Sequence, residues 1–161
     1  MNSFSFSVHN SQIKKLLYSN EDIANKISSW DSFAIKNNFS SFAAISSHCI
    51  VDHIPDLKPI VSILIPTFRR PELLRESISS ALNQVTDLIY EVVVVDNEAC
   101  DPVFHRMVEE VVNAFGSGNI RYFRNKENIG MFANWNRCIE LARGNWITIL
   151  NDDDLLSPDF L

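Results

Sequence analysis

The stretch VSILIPTFRRPELLRESISSALNQVTDLIYEVVVVD, residues 61–96, decides the fold class of this chain. It begins with VSILIP (61–66), a short apolar run ended by proline, which is typical of a buried strand. Pro71 suits the first position of a helix, and the apolar residues that follow share one helical face: Leu74, Ile78, Ala81 and Leu82. EVVVVD (91–96) predicts a second buried strand. The stretch therefore predicts a strand, a helix and a second strand.

The same alternation continues beyond residue 96. A second helix is predicted from the apolar positions Val103, Met107, Val108, Val111 and Phe115, closed by Gly116. IRYF (120–123) predicts a third strand and WITIL (146–150) a fourth buried strand. Between them a third helix is predicted, capped by Gly144, with an apolar face made of Phe132, Trp135, Ile139 and Ala142. Strands that alternate with helices predict an α/β fold: a mainly parallel sheet with helices on both faces.

Residues 1–58 differ in character and are predicted to be a small helical N-terminal extension and a linker, with the second domain over 59–161. Apolar residues at helical spacing between Ile13 and Trp30 predict two short helices, and IPDLKP predicts the linker. His48, Cys49 and His53 are one residue short of a zinc site, so we expect them to be packing residues.

Composition narrows the function classes. The chain has 161 residues, with 14 Lys and Arg against 20 Asp and Glu and a net charge of −6, so no nucleic-acid partner is expected. No apolar run is long enough for a transmembrane segment, and the first residues lack the order of a secretory signal.

Three cysteines suggest reduced thiols, hence a cytoplasmic protein, with the inner face of the membrane as an alternative location. The two common glycine-rich phosphate loops are missing.

Polar clusters follow each of the four predicted parallel strands: PTFRR (66–70), DNE (96–98), RNKEN (124–128) and NDDD (151–154). The carboxyl ends of parallel strands share one edge of a sheet, so these clusters are expected to converge on one ligand.

The NDDD cluster is the most informative of the four. Its neighbouring carboxylates, Asp152, Asp153 and Asp154, repel one another unless a cation joins them. Oxygen ligands suit Mg²⁺ or Mn²⁺ rather than zinc. The alternative is the acidic start of a helix formed by LLSPDFL, because carboxylates favour helix N-termini.

The order of the four clusters resembles the family 2 glycosyltransferases, which have the GT-A nucleotide-sugar-binding fold. The matching segments are VSILIPTFRR with ESISSALNQ, EVVVVDNEACD, RNKENIG with NRCIELARGNWITIL, and NDDDLLSP, which together span residues 60–161. This resemblance implies a nucleotide-sugar-dependent transferase of the hexosyltransferase type, with a role in polysaccharide biosynthesis.

The resemblance also implies roles for individual residues. The implied nucleotide-sugar-binding positions are Pro66, Thr67, Phe68, Arg69, Asp96, Asn128, Gly130, Asn136 and Asp152. Asp96 is expected to accept hydrogen bonds from the base, uracil in a UDP-sugar, or else to cap the turn after its strand. Asp153 and Asp154 are the implied metal ligands. The chain departs from the family pattern at Trp135, where arginine is usual, at Asn151, and at Glu98-Ala99-Cys100.

The implied reaction transfers the sugar, with inversion, from a UDP-sugar to a saccharide or lipid-linked acceptor, assisted by Mg²⁺ or Mn²⁺. The catalytic base is expected beyond Leu161, so the domain is expected to be truncated at its C-terminus. Two alternatives stay open. One is a noncatalytic nucleotide-sugar-binding or partner-docking module that docks through residues 1–58. The other is a sugar nucleotidyltransferase, which PTFRRP disfavours because it replaces the expected glycine-rich loop.

Overall fold

A computed structural model describes residues 42–116 and 118–161, which lie in one compact unit, Asn38–Leu161. The described residues form five strands and three helices. In chain order these are β1 (Ser47–Asp52), β2 (Val61–Thr67), α1 (Pro71–Leu82), β3 (Tyr90–Asp96), α2 (Pro102–Asn113), β4 (Ile120–Asn125), α3 (Met131–Leu141) and β5 (Trp146–Ile149). The two helices predicted between Ile13 and Trp30 lie outside the described residues.

The five strands form one sheet in the order β1-β4-β3-β2-β5. All pairings among β2, β3, β4 and β5 are parallel, and β1 pairs antiparallel with β4. The chain adds β3 and β4 on one side of β2 and then crosses to add β5 on the other side. This reversal is a topological switch point, the position at which open α/β sheets bind ligands.

Helices cover both faces of the sheet, as predicted. On one face, α1 and α2 pack on Ile63, Ile65, Val92 and Val94 through buried apolar side chains that include Leu74, Ile78, Val108 and Val111. On the other face, Cys138 of α3 packs on Leu64, Val93 and Val95. Because β2 and β3 are buried along their whole length, they consist of near-continuous apolar runs.

The prediction for the buried face of α3 is only partly right, because Ile139 and Ala142 pack against the core but the most buried residues of the helix are others. Ala133, Asn134, Arg137 and Cys138 are buried, whereas Phe132 is 63% exposed. Two of the buried residues are polar because their side chains hydrogen-bond to other elements. The Asn134 amide donates to Val95 O, and the Arg137 guanidinium donates to backbone carbonyls just before β1. Apolar periodicity cannot detect a helix face held by such bonds.

Gly144 is not the cap of α3, because the helix already ends at Leu141 with Ala142 in an extended conformation. Its backbone lies against β2 instead. A Cβ atom at this position would lie 2.6 Å from the backbone nitrogen of Ser62, so glycine is required by a close approach of two segments.

Strand β1 was not predicted. Residues 47–52 fall in the segment expected to be helical or a linker, so that expectation is wrong for them. The strand has exposed residues on both faces and therefore lacks a clear apolar alternation. Pairing with β4 defines it, and it covers an edge that β4 would otherwise expose.

Strand β5 was predicted to be buried and is instead an exposed edge strand, since within the described part of the chain it pairs only with β2 and Trp146 is 72% exposed. No helix forms over residues 151–161, so the alternative of an acidic helix start is wrong. This segment is hydrogen-bonded to α1 and the residues after it through Ser77, Ser80 and Gln84. No helix among the described residues is both long and apolar enough to cross a membrane.

Candidate functional site

A cavity of about 600 Å³ opens at the carboxyl ends of the parallel strands, beside the switch point. All four predicted strand-end clusters contribute lining residues, and the cluster after β4 does so through Asn128. The lining residues are Pro66, Thr67, Phe68, Arg70, Asn97, Asn128, Met131, Asn134, Trp135, Asn151, Asp152 and Asp153. The expected convergence of strand-end clusters on one site is therefore present.

One wall of the cavity is acidic. The Asp152 carboxylate is nearly buried and accepts a hydrogen bond of 2.7 Å from the Thr67 hydroxyl. Burial raises the pKa of Asp152, while the bonds from Thr67 and the nearby Arg70 guanidinium act in the opposite direction. Arg70 Nη1 lies 3.3 Å from Asp152 and 2.9 Å from Asp153, so one guanidinium joins both carboxylates.

The donor set of this wall fits a hard divalent cation, because Asp152 and Asp153 offer only oxygen atoms and already share one cationic group. Asp154 does not line the cavity; its carboxylate accepts from the Asn151 amide at 2.9 Å. Among residues 42–116 and 118–161, no three His, Cys, Asp or Glu side chains are grouped as metal ligands. Two protein carboxylates are nonetheless the usual protein contribution to a Mg²⁺ site completed by phosphate and water.

The cavity lining also includes apolar side chains, those of Pro66, Phe68, Met131 and Trp135. Phe68 is 41% exposed, and the Trp135 ring is in edge-to-face contact with Phe132, with the ring centroids 5.8 Å apart. The cavity therefore offers apolar surface to a flat ring, and it offers two carboxylates and the Arg70 guanidinium to the charged groups of a ligand.

A network of four asparagine side chains forms the floor in the sense that three of them, Asn97, Asn128 and Asn134, line the cavity and Asn125 joins two of these three. Asn97 accepts from the backbone N–H of Ile129 at 3.0 Å, and Asn134 donates to Val95 O at 3.0 Å. Asn125 donates to both Asn97 and Asn134, at 3.0 and 2.8 Å, and Asn97 donates to Asn128 at 2.9 Å. Because Asn97 and Asn134 each bond to a backbone group, the positions of the oxygen and nitrogen atoms in their side-chain amides are fixed. The network ties β3, β4, α3 and the 126–130 loop together.

The residue-by-residue site predictions leave out three members of this network, Asn97, Asn125 and Asn134, although the first two belong to the predicted strand-end clusters. A signal existed for the first two, since each lies at the carboxyl end of a strand. Asn134 sits within a helix, where nothing in the sequence pattern separates a buried asparagine from a solvated one.

Asp96 is fully buried and does not line the cavity. Its carboxylate accepts from the Tyr122 hydroxyl at 3.1 Å and from the backbone N–H of Glu98 at 2.9 Å. Burial raises the pKa of Asp96, and these two hydrogen bonds oppose that shift. The bond from Glu98 N–H matches the alternative expectation that Asp96 caps the turn after its strand. The adjacent Asn97, rather than Asp96, faces the cavity.

The remaining predicted positions divide into two groups. Pro66, Thr67, Phe68, Asn128 and Asp152 line the cavity together with the predicted metal ligand Asp153. Arg69, Gly130 and Asn136 do not line it. Gly130 has a φ of 81° at the start of α3, which favours glycine, and its N–H donates to Asn128.

Solved structures similar to this chain define the fold as GT-A. The mannosyltransferase PcManGT of Pyrobaculum calidifontis, in complex with GDP-Man and Mn²⁺, matches with a TM-score of 0.52 and 24% identity over 63% of this chain and 29% of that one. S. aureus TarS 1–349, in complex with UDP-GlcNAc, matches with a TM-score of 0.51 and 23% identity over 61% of this chain and 28% of that one. At these identities the likeness concerns the fold alone.

Residues 62–161 match Glycosyl transferase family 2, and the chain belongs to this family. An uncharacterized glycosyltransferase of Methanocaldococcus jannaschii, MJ1057, is 33% identical over 104 residues, which is 63% of this chain and 34% of the relative. The chain spans about a third of the length of the curated relatives that it matches first. The family and fold implied by the sequence motifs are thus confirmed.

Proposed function

We propose that this chain binds a nucleoside-diphosphate sugar, with a UDP-sugar as donor, for inverting transfer to a saccharide or lipid-linked acceptor. The observation that carries the proposal is the lining of the switch-point cavity, which is divided between apolar side chains such as Phe68 and the carboxylates of Asp152 and Asp153. A nucleoside diphosphate has the same division, a flat base at one end and anionic phosphates that need a cation at the other.

In this proposal the base lies against Phe68 and Pro66, and the floor amides contact its polar edge. Asn97 takes the place given to Asp96 by the sequence reasoning, because Asn97 lines the cavity and the Asp96 carboxylate is engaged by Tyr122 and Glu98. Asp96 then fixes the end of β3 beneath the base.

Asp152 and Asp153 are the residues that would hold Mg²⁺ or Mn²⁺, which neutralises charge on the leaving diphosphate. The wall suits this role because Thr67 orients one oxygen of Asp152 and Arg70 can turn from the carboxylates towards phosphate. Similarity to a structure solved with Mn²⁺ and GDP-Man supports the choice of ion.

Direct displacement at the anomeric carbon needs a base that accepts the proton of the acceptor hydroxyl. Among the described residues, the only carboxylates that line the cavity are Asp152 and Asp153, which serve the metal in this proposal. The alternative, a nucleotide-sugar-binding module without transferase activity, predicts tight donor binding and no acceptor-dependent release of UDP.

Calorimetry with UDP, GDP, CDP, ADP and pyrophosphate, each with and without Mn²⁺, tests the proposal. We expect UDP to bind more tightly than pyrophosphate and to need Mn²⁺ for full affinity. Asp153→Asn should remove the effect of Mn²⁺, whereas Asp154→Asn, as a matched control outside the cavity, should retain it. Equal losses in the two variants would contradict the assignment of Asp153.

A further inference from the structure

Arg69 has an unusual backbone conformation beside the cavity. It lies between β2 and α1 with a φ of 58°, and among the described residues no other non-glycine residue has a positive φ. This region is unfavourable for a residue with a Cβ atom, and contacts elsewhere must hold the residue there. The side chain of Arg69 makes those contacts.

Glu98 anchors the Arg69 side chain. Residue Glu98 is 2% exposed, and one oxygen of its carboxylate pairs with Arg69 Nε. The other oxygen accepts from the backbone N–H groups of Cys100 and Asp101, both at 2.9 Å. The Arg69 bond, together with these N–H groups, lowers the pKa of Glu98 to about 2. The anchor is therefore charged and fixed at neutral pH.

The anchored guanidinium lies between two aromatic rings. Its central carbon is 5.2 Å from the centroid of Phe68 and 5.4 Å from that of Phe104 on α2. Phe104 belongs to a helix, whereas Phe68 belongs to a loop and is 41% exposed at the cavity. Cation–π attraction to a fixed cation limits the rotation of the loop ring.

We infer that Arg69 is a positioning residue: the Glu98–Arg69 pair holds the Phe68 ring in the orientation that stacks on the ligand's base. The inference rests on the proposed function for its ligand class. Arg69 itself contacts no ligand in this account, which differs from the binding role implied by family resemblance. Neither Arg69 nor Glu98 lines the cavity, and both act through the ring that does.

The variant Arg69→Gly separates positioning from folding. Glycine adopts a positive φ without strain, so the backbone turn is retained while the guanidinium is lost. The matched control is Arg75→Ala, which removes an exposed arginine from α1. Affinities for UDP and for pyrophosphate are measured by calorimetry on the 161-residue chain, with thermal unfolding recorded for each variant.

We expect Arg69→Gly to weaken UDP binding about fivefold, because a base–aromatic stack is worth roughly 1–3 kcal/mol in full, a factor of 5 or more. Pyrophosphate binding should stay within about twofold of the parent, and Phe68→Ala should cost less UDP affinity in the Arg69→Gly background than in the parent. A parallel loss of UDP and pyrophosphate affinity would show that Arg69 contacts the phosphates and would overturn the inference. Unchanged UDP binding would also overturn it.

A second measurement needs no ligand. Nuclear Overhauser effects between the Arg69 side chain and the Phe68 ring should be present in the parent and lost in Glu98→Gln, while the amide spectrum away from residues 67–70 and 98–105 stays the same. If the parent bound no nucleoside diphosphate, the proposed function would fall. The nuclear Overhauser effects between Arg69 and the Phe68 ring would still show whether the Glu98–Arg69 pair holds this ring. Their absence from the parent would refute the positioning role.

Discussion

The substitution Asp96→Ala distinguishes a base-binding carboxylate from an internal one. In the structure it removes the acceptor of two buried donors, the Tyr122 hydroxyl and the Glu98 N–H. A buried donor left without a partner costs about 1–3 kcal/mol, so the expected loss is about 2–6 kcal/mol of unfolding free energy. With an unfolding entropy near 2.1 cal/mol/K per residue, this corresponds to a fall in Tm of roughly 6–18 °C.

The assay combines thermal unfolding with binding of UDP and pyrophosphate well below the Tm. We expect Asp96→Ala to lower the Tm while the folded fraction binds both ligands within about threefold of the parent. Asp96→Asn is the matched variant. It keeps an oxygen for Glu98 N–H but meets Tyr122 with an amide, so about half of the loss in stability is expected. An unchanged Tm with a selective loss of UDP affinity would refute the internal role of Asp96.

Three further predictions concern other parts of the site. Asn134→Leu should cost about 2–5 kcal/mol in chemical denaturation, since Val95 O and the Asn125 amide lose their buried partner; a loss below about 0.5 kcal/mol would count against the network. Arg70→Gln should raise the affinity for Mn²⁺ severalfold in the absence of nucleotide, because it removes the guanidinium that competes with the ion for Asp152 and Asp153. The affinity is measured by electron paramagnetic resonance, and weaker Mn²⁺ binding than in an Arg75→Gln control would contradict the prediction. The folded pKa of Glu98 is depressed to about 2 from 4.5, so its stabilising contribution is present above pH 4.5 and is lost as the pH falls towards 2. Glu98→Gln should therefore reduce the loss of unfolding free energy between pH 4.5 and about 2. If the variant loses as much stability as the parent over this range, Glu98 is not the group responsible.

The sequence predicts the central strands and the helices that follow them because their apolar patterns are strong and local. The near-continuous runs in β2 and β3 are buried along their whole length, and Pro71 begins α1. Convergence of the strand-end clusters also follows from the sequence, because parallel strands place those ends at one edge.

Non-local contacts explain what sequence reasoning missed. Strand β1 is defined by its pairing with β4, about 75 residues later along the chain. The most buried part of α3 is set by bonds from Asn134 and Arg137 to other elements, and apolar periodicity does not identify polar residues as buried. Asp96 is the last residue of β3 and Asn97 directly follows it, and only the structure shows which of them faces the cavity.

Thermal unfolding with UDP and Mn²⁺ is the direct test of our claim that the switch-point cavity binds a nucleoside diphosphate with a divalent ion. At a ligand concentration one hundred times its Kd, binding stabilises the folded state by about 2.7 kcal/mol. With the same per-residue unfolding entropy as above, we expect a rise in Tm of roughly 8 °C for UDP with Mn²⁺. Asp153→Asn should abolish the Mn²⁺-dependent part of that rise. A cooperatively unfolding protein whose Tm does not change with UDP, GDP, CDP or ADP, with or without Mn²⁺, would contradict the claim.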